Sequence, residues 1–401
     1  MSSAAIVGVA DYIPAKGERI SYWDLHARIV KEALADAGLP HTAVDGVVFT
    51  RSGYPLEREV FPTTFCEFFG ISPAWVEVAP HGGAQMTSAL WRASQAIDSG
   101  LASAVLIVAA DNRDSRFGRA GVVARIADHN MDTEFEVPYG PVFVTTFALM
   151  AQRYMHEYGV GPEVFAGLAV GEREWAGMNA GARMREPLTV DDVLASRMIS
   201  SPLRLLDLCL VTDGGVAIVV VSPEVAESLD TQPVWIRGYG DQAECQTITA
   251  LSDLTGPALF RRASEQAFGM AGLGPEDVDI VYAYDPATSF ALWGLEQMGF
   301  AEPGRGAELV ESGALRPGGR LPLNTHGGLL SYGHPGAPGA LLAVGEAVRQ
   351  LRGECGARQV EGARTAVTSA IGGFLACGVN VLSTARKGDR LSIMKNDRSV
   401  Y

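Results

Sequence analysis

Chemistry in this chain has to come from general acids and bases. The five cysteines, Cys66, Cys209, Cys245, Cys355 and Cys377, are scattered, with no Cys-x-x-Cys pair and no His/Cys cluster at metal spacing. No Gly-x-Gly-x-x-Gly follows a strand pattern to hold a dinucleotide. Two histidines instead stand on paired glycines, in His81-Gly82-Gly83 and His326-Gly327-Gly328. Glycines there allow backbone to approach a ligand closely. Tyr332 lies two residues before His334 in a glycine-rich run, and Tyr284 opens Tyr284-Asp285-Pro286. A tyrosine can pass a proton in either direction. With a reference pKa of about 10, it needs donors or positive charge nearby to act as a base near neutral pH.

These residues have to be positioned by an α/β framework that reads as duplicated. Ala37-Gly38-Leu39 followed by Val44-Asp45-Gly46-Val47 recurs as Ala271-Gly272-Leu273 and Val278-Asp279-Ile280-Val281, both at an offset of 234 residues. Each copy reads as a helix ending on glycine, a short loop and a buried strand. The opening strands are Ala4 to Val9 and Val234 to Tyr239. Each His-Gly-Gly precedes a helix, Met86 to Asp98 or Ala340 to Leu351. The strands Val105 to Ala109 and Thr365 to Ser369 follow. Strands alternating with helices predict βαβ units in mostly parallel sheets. The expected boundaries are an N-terminal half over 1–230, with an insertion at about 112–212, and a C-terminal half over 231–401. The insertion reads equally well as part of the binding site or as a packing and dimerisation excursion. The charged tail Lys387 to Tyr401 reads as peripheral.

Composition excludes several classes. A chain of 401 residues with 47% hydrophobic residues suits a globular enzyme with two cores. A net charge of -14 without a basic run argues against nucleic acid as a partner. No apolar run approaches the roughly 20 residues that span a bilayer, and Met1 to Ala10 lacks the pattern of a signal peptide. A cytoplasmic location is the expectation.

Taken together, the two halves, the long insertion, Ser201-Pro202-Leu203-Arg204-Leu205-Leu206-Asp207, Thr212-Asp213-Gly214-Gly215, and Asn324-Thr325-His326-Gly327-Gly328 leading to Gly333-His334-Pro335-Gly336 resemble the thiolase superfamily. The likeness spans nearly the whole chain and is nearest to the sterol-carrier-protein-x, or lipid-transfer-protein, type. It implies a thiolase fold: duplicated βαβαβ halves in α-β-α-β-α layers, with a loop-domain insertion. Thiolases carry a nucleophilic cysteine in Cys-x-Ser/Thr-Gly-x-x-Ala, and Gly83 stands there, within a residue or two. A second thiolase cysteine, in Cys-x-Gly-Gly, is replaced by Ala370-Ile371-Gly372-Gly373, and Cys377 reads as a core residue of the strand Cys377 to Leu382. Tyr284 replaces the Asn or His of the oxyanion-hole loop, and Tyr332 stands where thiolases have an aliphatic residue or lysine.

The two tyrosines and Arg153-Tyr154-Met155-His156-Glu157-Tyr158-Gly159 are similar to the steroid side-chain retro-aldolases, whereas Gly-His-Pro-Gly follows ordinary thiolases. The resemblance implies retro-aldol cleavage of a β-hydroxyacyl-CoA, with a steroid or other bulky side chain as one class. The coenzyme A thioester is the substrate, and no cofactor or metal is bound. Tyr332 is assigned as base at the β-hydroxyl, Tyr284 as proton donor to the enolate and His334 as donor to the thioester oxygen. His326 and His81 should face each other across the pseudo-dyad, where one of them holds a water or orients a tyrosine. His81, Gly82, Gly83, Asn324, Gly327, Gly328, Gly372 and Gly373 are the expected substrate-binding positions. A homodimer, and a small OB-fold and zinc-ribbon partner, follow from the same resemblance. The alternatives are an acyltransferase with an unusual nucleophile, for which Thr87 and Ser88 are poor candidates, and a non-catalytic acyl-CoA-binding or scaffold protein.

Overall fold

The computed structural model describes residues 4–50, 61–79, 83–141, 143–245, 247–251, 253–255, 259–372 and 375–386. The apolar opening forms strand β1 (Ala5–Tyr12). Ser21 starts helix α1 (Tyr22–Ala37) by accepting the Asp24 amide, and Gly38 stops it at φ 68°, in the left-handed region that favours glycine. Strand β2 (Gly46–Thr50), helix α2 (Phe61–Phe69), strand β3 (Trp75–Ala79), helix α3 (Gly83–Asp98) and strand β4 (Ala104–Asp111) follow. The insertion then supplies α4 (Arg113–Asn130), interrupted at Gly118, α5 (Phe143–Tyr158), α6 (Pro162–Gly177), α7 (Val190–Ala195) and the short pair β5 (Met198–Ser200) and β6 (Leu203–Arg204). Strand β7 (Gly214–Val221) and helix α8 (Pro223–Glu227) lead to β8 (Val234–Cys245), α9 (Leu259–Ala271), β9 (Ile280–Tyr282), α10 (Thr288–Gln297), α11 (Gly306–Glu311), α12 (Gly339–Arg352), β10 (Thr365–Gly372) and β11 (Leu375–Ser383).

The repeat in the sequence is visible as geometry. Helices α1 and α9 end at Ala37 and Ala271, each followed by a glycine at φ 68°. Strands β2 and β9 begin at the same offset, Gly46 and Ile280. The nine strands run β3-β2-β4-β7-β1-β8-β11-β10-β9. The parallel pairings expected from βαβ units are β2 with β3, β2 with β4 and β9 with β10. The pairs formed by β1, β7, β8 and β11 are antiparallel, because those strands are reached by returns that reverse direction rather than by right-handed crossovers.

Alternation along the strands separates three layers of core. Outward residues of the first half, such as Val7 and Val219, pack on α1. Outward residues of the second half, such as Val367 and Val379, pack on α9 and α10. Inward residues of both halves, including Val105, Ile218, Ile236 and Leu382, share one core with Met86 and Leu90 of α3 and Leu341 and Val344 of α12. Among the described residues, the sheet passes from one half to the other through β1 and β8, with Ala5 opposite Trp235 and Ile6 opposite Val234. The sheet turns at that seam and encloses α3 and α12, giving the α-β-α-β-α layering. Cys377 is 1% exposed within the second-half core. Helices α5 and α6 of the insertion pack into that same core.

Candidate active site

Three chain segments meet beyond the end of β9. Tyr284 lies on the loop between β9 and α10. Residues 322–324 run beside β9, with the Val281 amide donating to Pro322 O and the Asn324 amide to Val281 O, both at 3.0 Å. A π-helical turn, Gly328–Tyr332, then carries the chain to His334. The third segment, 208–212, threads between these two loops. The amides of Cys209, Leu210 and Thr212 donate to Pro286 O at 3.1 Å, Leu329 O at 3.0 Å and His334 O at 3.2 Å.

This threading produces a linear array. The Tyr284 hydroxyl is 3.1 Å from His334 Nε2, and His334 Nδ1 is 3.2 Å from Cys209 Sγ. All three side chains are partly exposed. Burial pushes the His334 imidazole well below its ordinary range, with the nearby Arg113 guanidinium adding to the effect. Burial raises Tyr284 above the usual phenol value and pushes the Cys209 thiol up to about 12. The array is therefore neutral at pH 7. A neutral imidazole has one donor and one acceptor nitrogen. Both are occupied, so His334 acts on Tyr284 and has no nitrogen left for a thioester oxygen, contrary to the expected role.

Tyr332 and His326 form a second pair, with ring centroids 5.3 Å apart. Both are buried. The Tyr332 hydroxyl donates to Asp11 at the end of β1, and Arg349 of α12 lies 2.5 Å from the other Asp11 oxygen. Burial, followed by the Asp11 carboxylate, holds the Tyr332 phenol well above its ordinary range. Burial lowers His326 to about 4, and its Nδ1 has no hydrogen-bond partner. Asp11, His326, Tyr332, Glu346, Arg349 and Arg358 line a polar cavity of about 200 Å3. Arg358 is held by Glu346 through bonds of 2.8 and 2.9 Å.

The insertion clamps the loop that carries His326, Tyr332 and His334. Arg173 Nε donates to Ser331 Oγ at 2.8 Å, the Asn179 amide to His326 O at 2.9 Å, the Arg183 backbone amide to Tyr332 O at 3.1 Å, and Arg113 to His334 O at 2.7 Å. Of the two readings of this region, the site-building one has these contacts behind it, while α5 and α6 also serve the core.

Several expected ligand contacts are spent inside the protein. Asn324 sits at φ 47° and is 1% exposed. Its side-chain amide donates to Glu172 at 2.7 Å and Ala283 O at 2.9 Å, which leaves it no donor for a substrate. A Cβ at Gly327 (φ 107°) would stand 2.6 Å from the Ala176 Cβ. One at Gly328 (φ 65°) would stand 2.3 Å from Glu172 Oε2 and 2.4 Å from Asp285 Oδ2. The close approach these glycines permit is to α6 and a buried carboxyl pair, not to a thioester. Burial and the neighbouring carboxylate raise Glu172, and burial raises Asp285 to about 6. A single proton shared between them accounts for both shifts and for the absence of any other partner on Glu172 Oε2.

Gly83 is the first residue of α3, and Gly372 ends β10 opposite Ala376. His81, Gly82 and Gly373 lie outside the described residues, as does the tail from Lys387. Thr87 is fully buried, bonded to Ala84 O at 2.5 Å and packed where a Gly378 side chain would be. It has no access to an acyl group. Cys209, Asp11, Arg349 and Glu172 were not legible as site residues. The only sequence signal was the position of Cys209 two residues after the Leu205-Leu206-Asp207 segment and that of Asp11 at the end of an apolar strand.

The comparisons with known proteins agree with the fold. Residues 240–384 match a family described as thiolase C-terminal domain-like. The chain is 34% identical to a 17-hydroxy-3-oxo-4-pregnene-20-carboxyl-CoA lyase of Mycobacterium tuberculosis, over 87% of this chain and 92% of the lyase. It is 30% identical to an acetyl-CoA acetyltransferase of Methanothermobacter thermautotrophicus, over 93% and 97%. Among solved structures, an Ltp2-ChsH2(DUF35) aldolase superposes with a TM-score of 0.82 at 30% identity, covering 95% of this chain and 98% of that one. The chain belongs to the thiolase superfamily, in the branch that holds the sterol-carrier-protein thiolases and the steroid side-chain-cleaving aldolases.

Proposed function

We propose that this protein cleaves the Cα–Cβ bond of a β-hydroxyacyl-CoA by a retro-aldol reaction, with no covalent acyl carrier at the usual thiolase positions. One observation carries the reading: where a thiolase needs thiols, at Gly83 and Ala370, this chain has none, and Tyr284, whose amide donates to Ser369 Oγ at 3.2 Å, is hydrogen-bonded to His334. A base at the β-hydroxyl starts the cleavage, giving a ketone or aldehyde and a CoA enolate. The raised Tyr284 phenol keeps its proton until the enolate carbon takes it. The His334 Nε2–H then donates to the phenolate that remains. Tyr332 is the acceptor of the β-hydroxyl proton.

The named activities of the relatives make a bulky β-hydroxyacyl-CoA, such as one with a steroid side chain, the substrate class to assay first. A cytoplasmic homodimer working with a small OB-fold and zinc-ribbon partner completes the reading. That the similar solved structure is an aldolase of two components, Ltp2 and ChsH2(DUF35), supports a partner. The exposed edge strand β3, presenting Val76 and Val78, supports a dimer. Among the described residues, no helix is long and apolar enough to cross a membrane.

The test is incubation of the chain, alone and with such a partner, with steroid and acyclic β-hydroxyacyl-CoAs, followed by mass spectrometry. Equimolar carbonyl product and shortened acyl-CoA are expected without added free CoA. Tyr284→Phe should lower kcat by about 100-fold or more at similar KM. The acyltransferase reading rests on the thiol of Cys209 against His334. Cleavage that requires free CoA, with an acyl mass increment on the Cys209 peptide, would replace the retro-aldol reading with that one.

A further inference from the structure

The base side of the reaction has an unsolved element. Tyr332 is buried with its hydroxyl donating to a carboxylate, Asp11. An anion in that place opposes a phenolate rather than favouring it. A resting Tyr332 anion is therefore not available to take the β-hydroxyl proton. The same contact offers a way out if the proton passes through the phenol, because Tyr332 can hand its own proton along the existing hydrogen bond to Asp11 as it takes another.

We propose that Asp11 is the terminal proton acceptor of the reaction, taking the phenolic proton of Tyr332 as Tyr332 takes the β-hydroxyl proton of the substrate. The inference rests on the retro-aldol reading and completes its base side. The substrate O–H proton moves to Tyr332 Oη, and the Tyr332 proton moves to Asp11 Oδ2. The O–H electron pair becomes the new carbonyl bond, and the Cα–Cβ pair becomes the CoA enolate. The enolate carbon takes the Tyr284 proton. Asp11 is left protonated and Tyr284 ionised, so one proton has to travel back before the next turnover.

The structure supplies both ends of that return. Asp11 borders the polar cavity of about 200 Å3, which has room for water. The unpartnered Nδ1 of His326 lines the same space. At the other end, Tyr284 and His334 are partly exposed. The charged and titratable groups that face Asp11 are Tyr332 and His326 from the loop they share, Glu346 and Arg349 from α12, and Arg358 just beyond it. Arg349 pairs with the Asp11 oxygen that Tyr332 does not use, so the receiving oxygen is free of the ion pair. Asp11 acts through Tyr332 and does not touch the substrate, which makes it a positioning residue.

The experiment uses the full chain, with its partner protein if turnover needs one, and a β-hydroxyacyl-CoA that the wild type cleaves. Asp11→Asn should lower kcat by about 100-fold with KM within about threefold. Asp11→Glu should restore a substantial part of the rate. Combining Asp11→Asn with Tyr332→Phe should cost no more than the worse single change, since the two act as one unit. Arg349→Gln breaks the same ion pair but keeps the carboxylate. If thermal melts show both variants folded, Arg349→Gln should keep most of the rate that Asp11→Asn loses. Without substrate, tyrosine-labelled NMR should show Tyr332 ionising at lower pH in Asp11→Asn. Asp11 is excluded if Asp11→Asn cleaves within threefold of wild type. It is also excluded if Arg349→Gln reproduces every effect of Asp11→Asn. A wild type that releases no carbonyl product from any β-hydroxyacyl-CoA overturns the retro-aldol reading and the Asp11 role with it, whatever the NMR titration shows.

Discussion

At the residue scale, the site is an arrangement of neutral hydrogen bonds that have direction. In the His334 tautomer that lets the Cys209 S–H donate to Nδ1, the Nε2–H points at the Tyr284 oxygen. The Tyr284 proton is then free for the substrate. Cys209→Ala should reduce kcat about 3- to 10-fold, the worth of one hydrogen bond, while Cys209→Ser, which still donates, should keep most of it. Steady-state kinetics on both variants decides. The Glu172–Asp285 pair makes a different prediction, about stability. Both carboxyls are raised in the folded state, so the native protein binds the shared proton more tightly than the unfolded chain does. The stabilisation is fully present below the unfolded carboxyl value of about 4 and is lost as pH rises through about 6, the Asp285 value, and beyond. The slope approaches about 1.4 kcal/mol per pH unit for one proton. Glu172→Gln, neutral at every pH, should flatten the fall of Tm between pH 5 and 8, as measured by calorimetry.

At the element scale, glycines of the same backbone conformation carry different loads. Gly272 ends α9 at φ 68° with nothing within 4 Å of a would-be Cβ, whereas Gly328 at φ 65° faces the carboxyl pair at 2.3 and 2.4 Å. Gly272→Ala should cost only the left-handed strain, about 1–2 kcal/mol. Gly328→Ala adds overpacking against Glu172 and Asp285, for a total of about 2–5 kcal/mol, and displaces the loop that carries Tyr332 and His334. Urea unfolding gives both values. The π-helical turn Gly328–Tyr332 is held from outside by α6, the loop after it and segment 208–212. Its geometry therefore belongs to the insertion as much as to its own sequence.

At the scale of the whole molecule, the sheet ends on β3, where Val76 and Val78 are 42% and 37% exposed and Phe68 of the preceding helix is 55% exposed. An apolar, unpaired edge of this kind is a template for pairing with another strand. Light scattering should give the mass of two chains, and Val76→Asp should shift it towards one chain while leaving the thermal unfolding of the monomer nearly unchanged. A wild type that is monomeric at micromolar concentration would remove the dimer from the reading.

The sequence by itself determined the duplication, because the 234-residue offset repeats a helix stop and the buried strand after it, and these depend on local rules of glycine conformation and apolar alternation. It also determined what the protein lacks: thiols where a thiolase has them. Tyr284, Tyr332, His326 and His334 were legible as candidates because they stand in short glycine-rich segments similar to a known family. Only the tertiary structure decided how they pair. Tyr284 meets His334, His334 meets Cys209, and Tyr332 meets Asp11, across separations of 50, 125 and 321 residues. It also placed Asn324 and Gly328 against a buried carboxyl pair and Gly327 against Ala176 of α6. Contacts of that span follow from the closing of the two halves around α3 and α12 and from the threading of the insertion between two loops, and no spacing within the sequence encodes them.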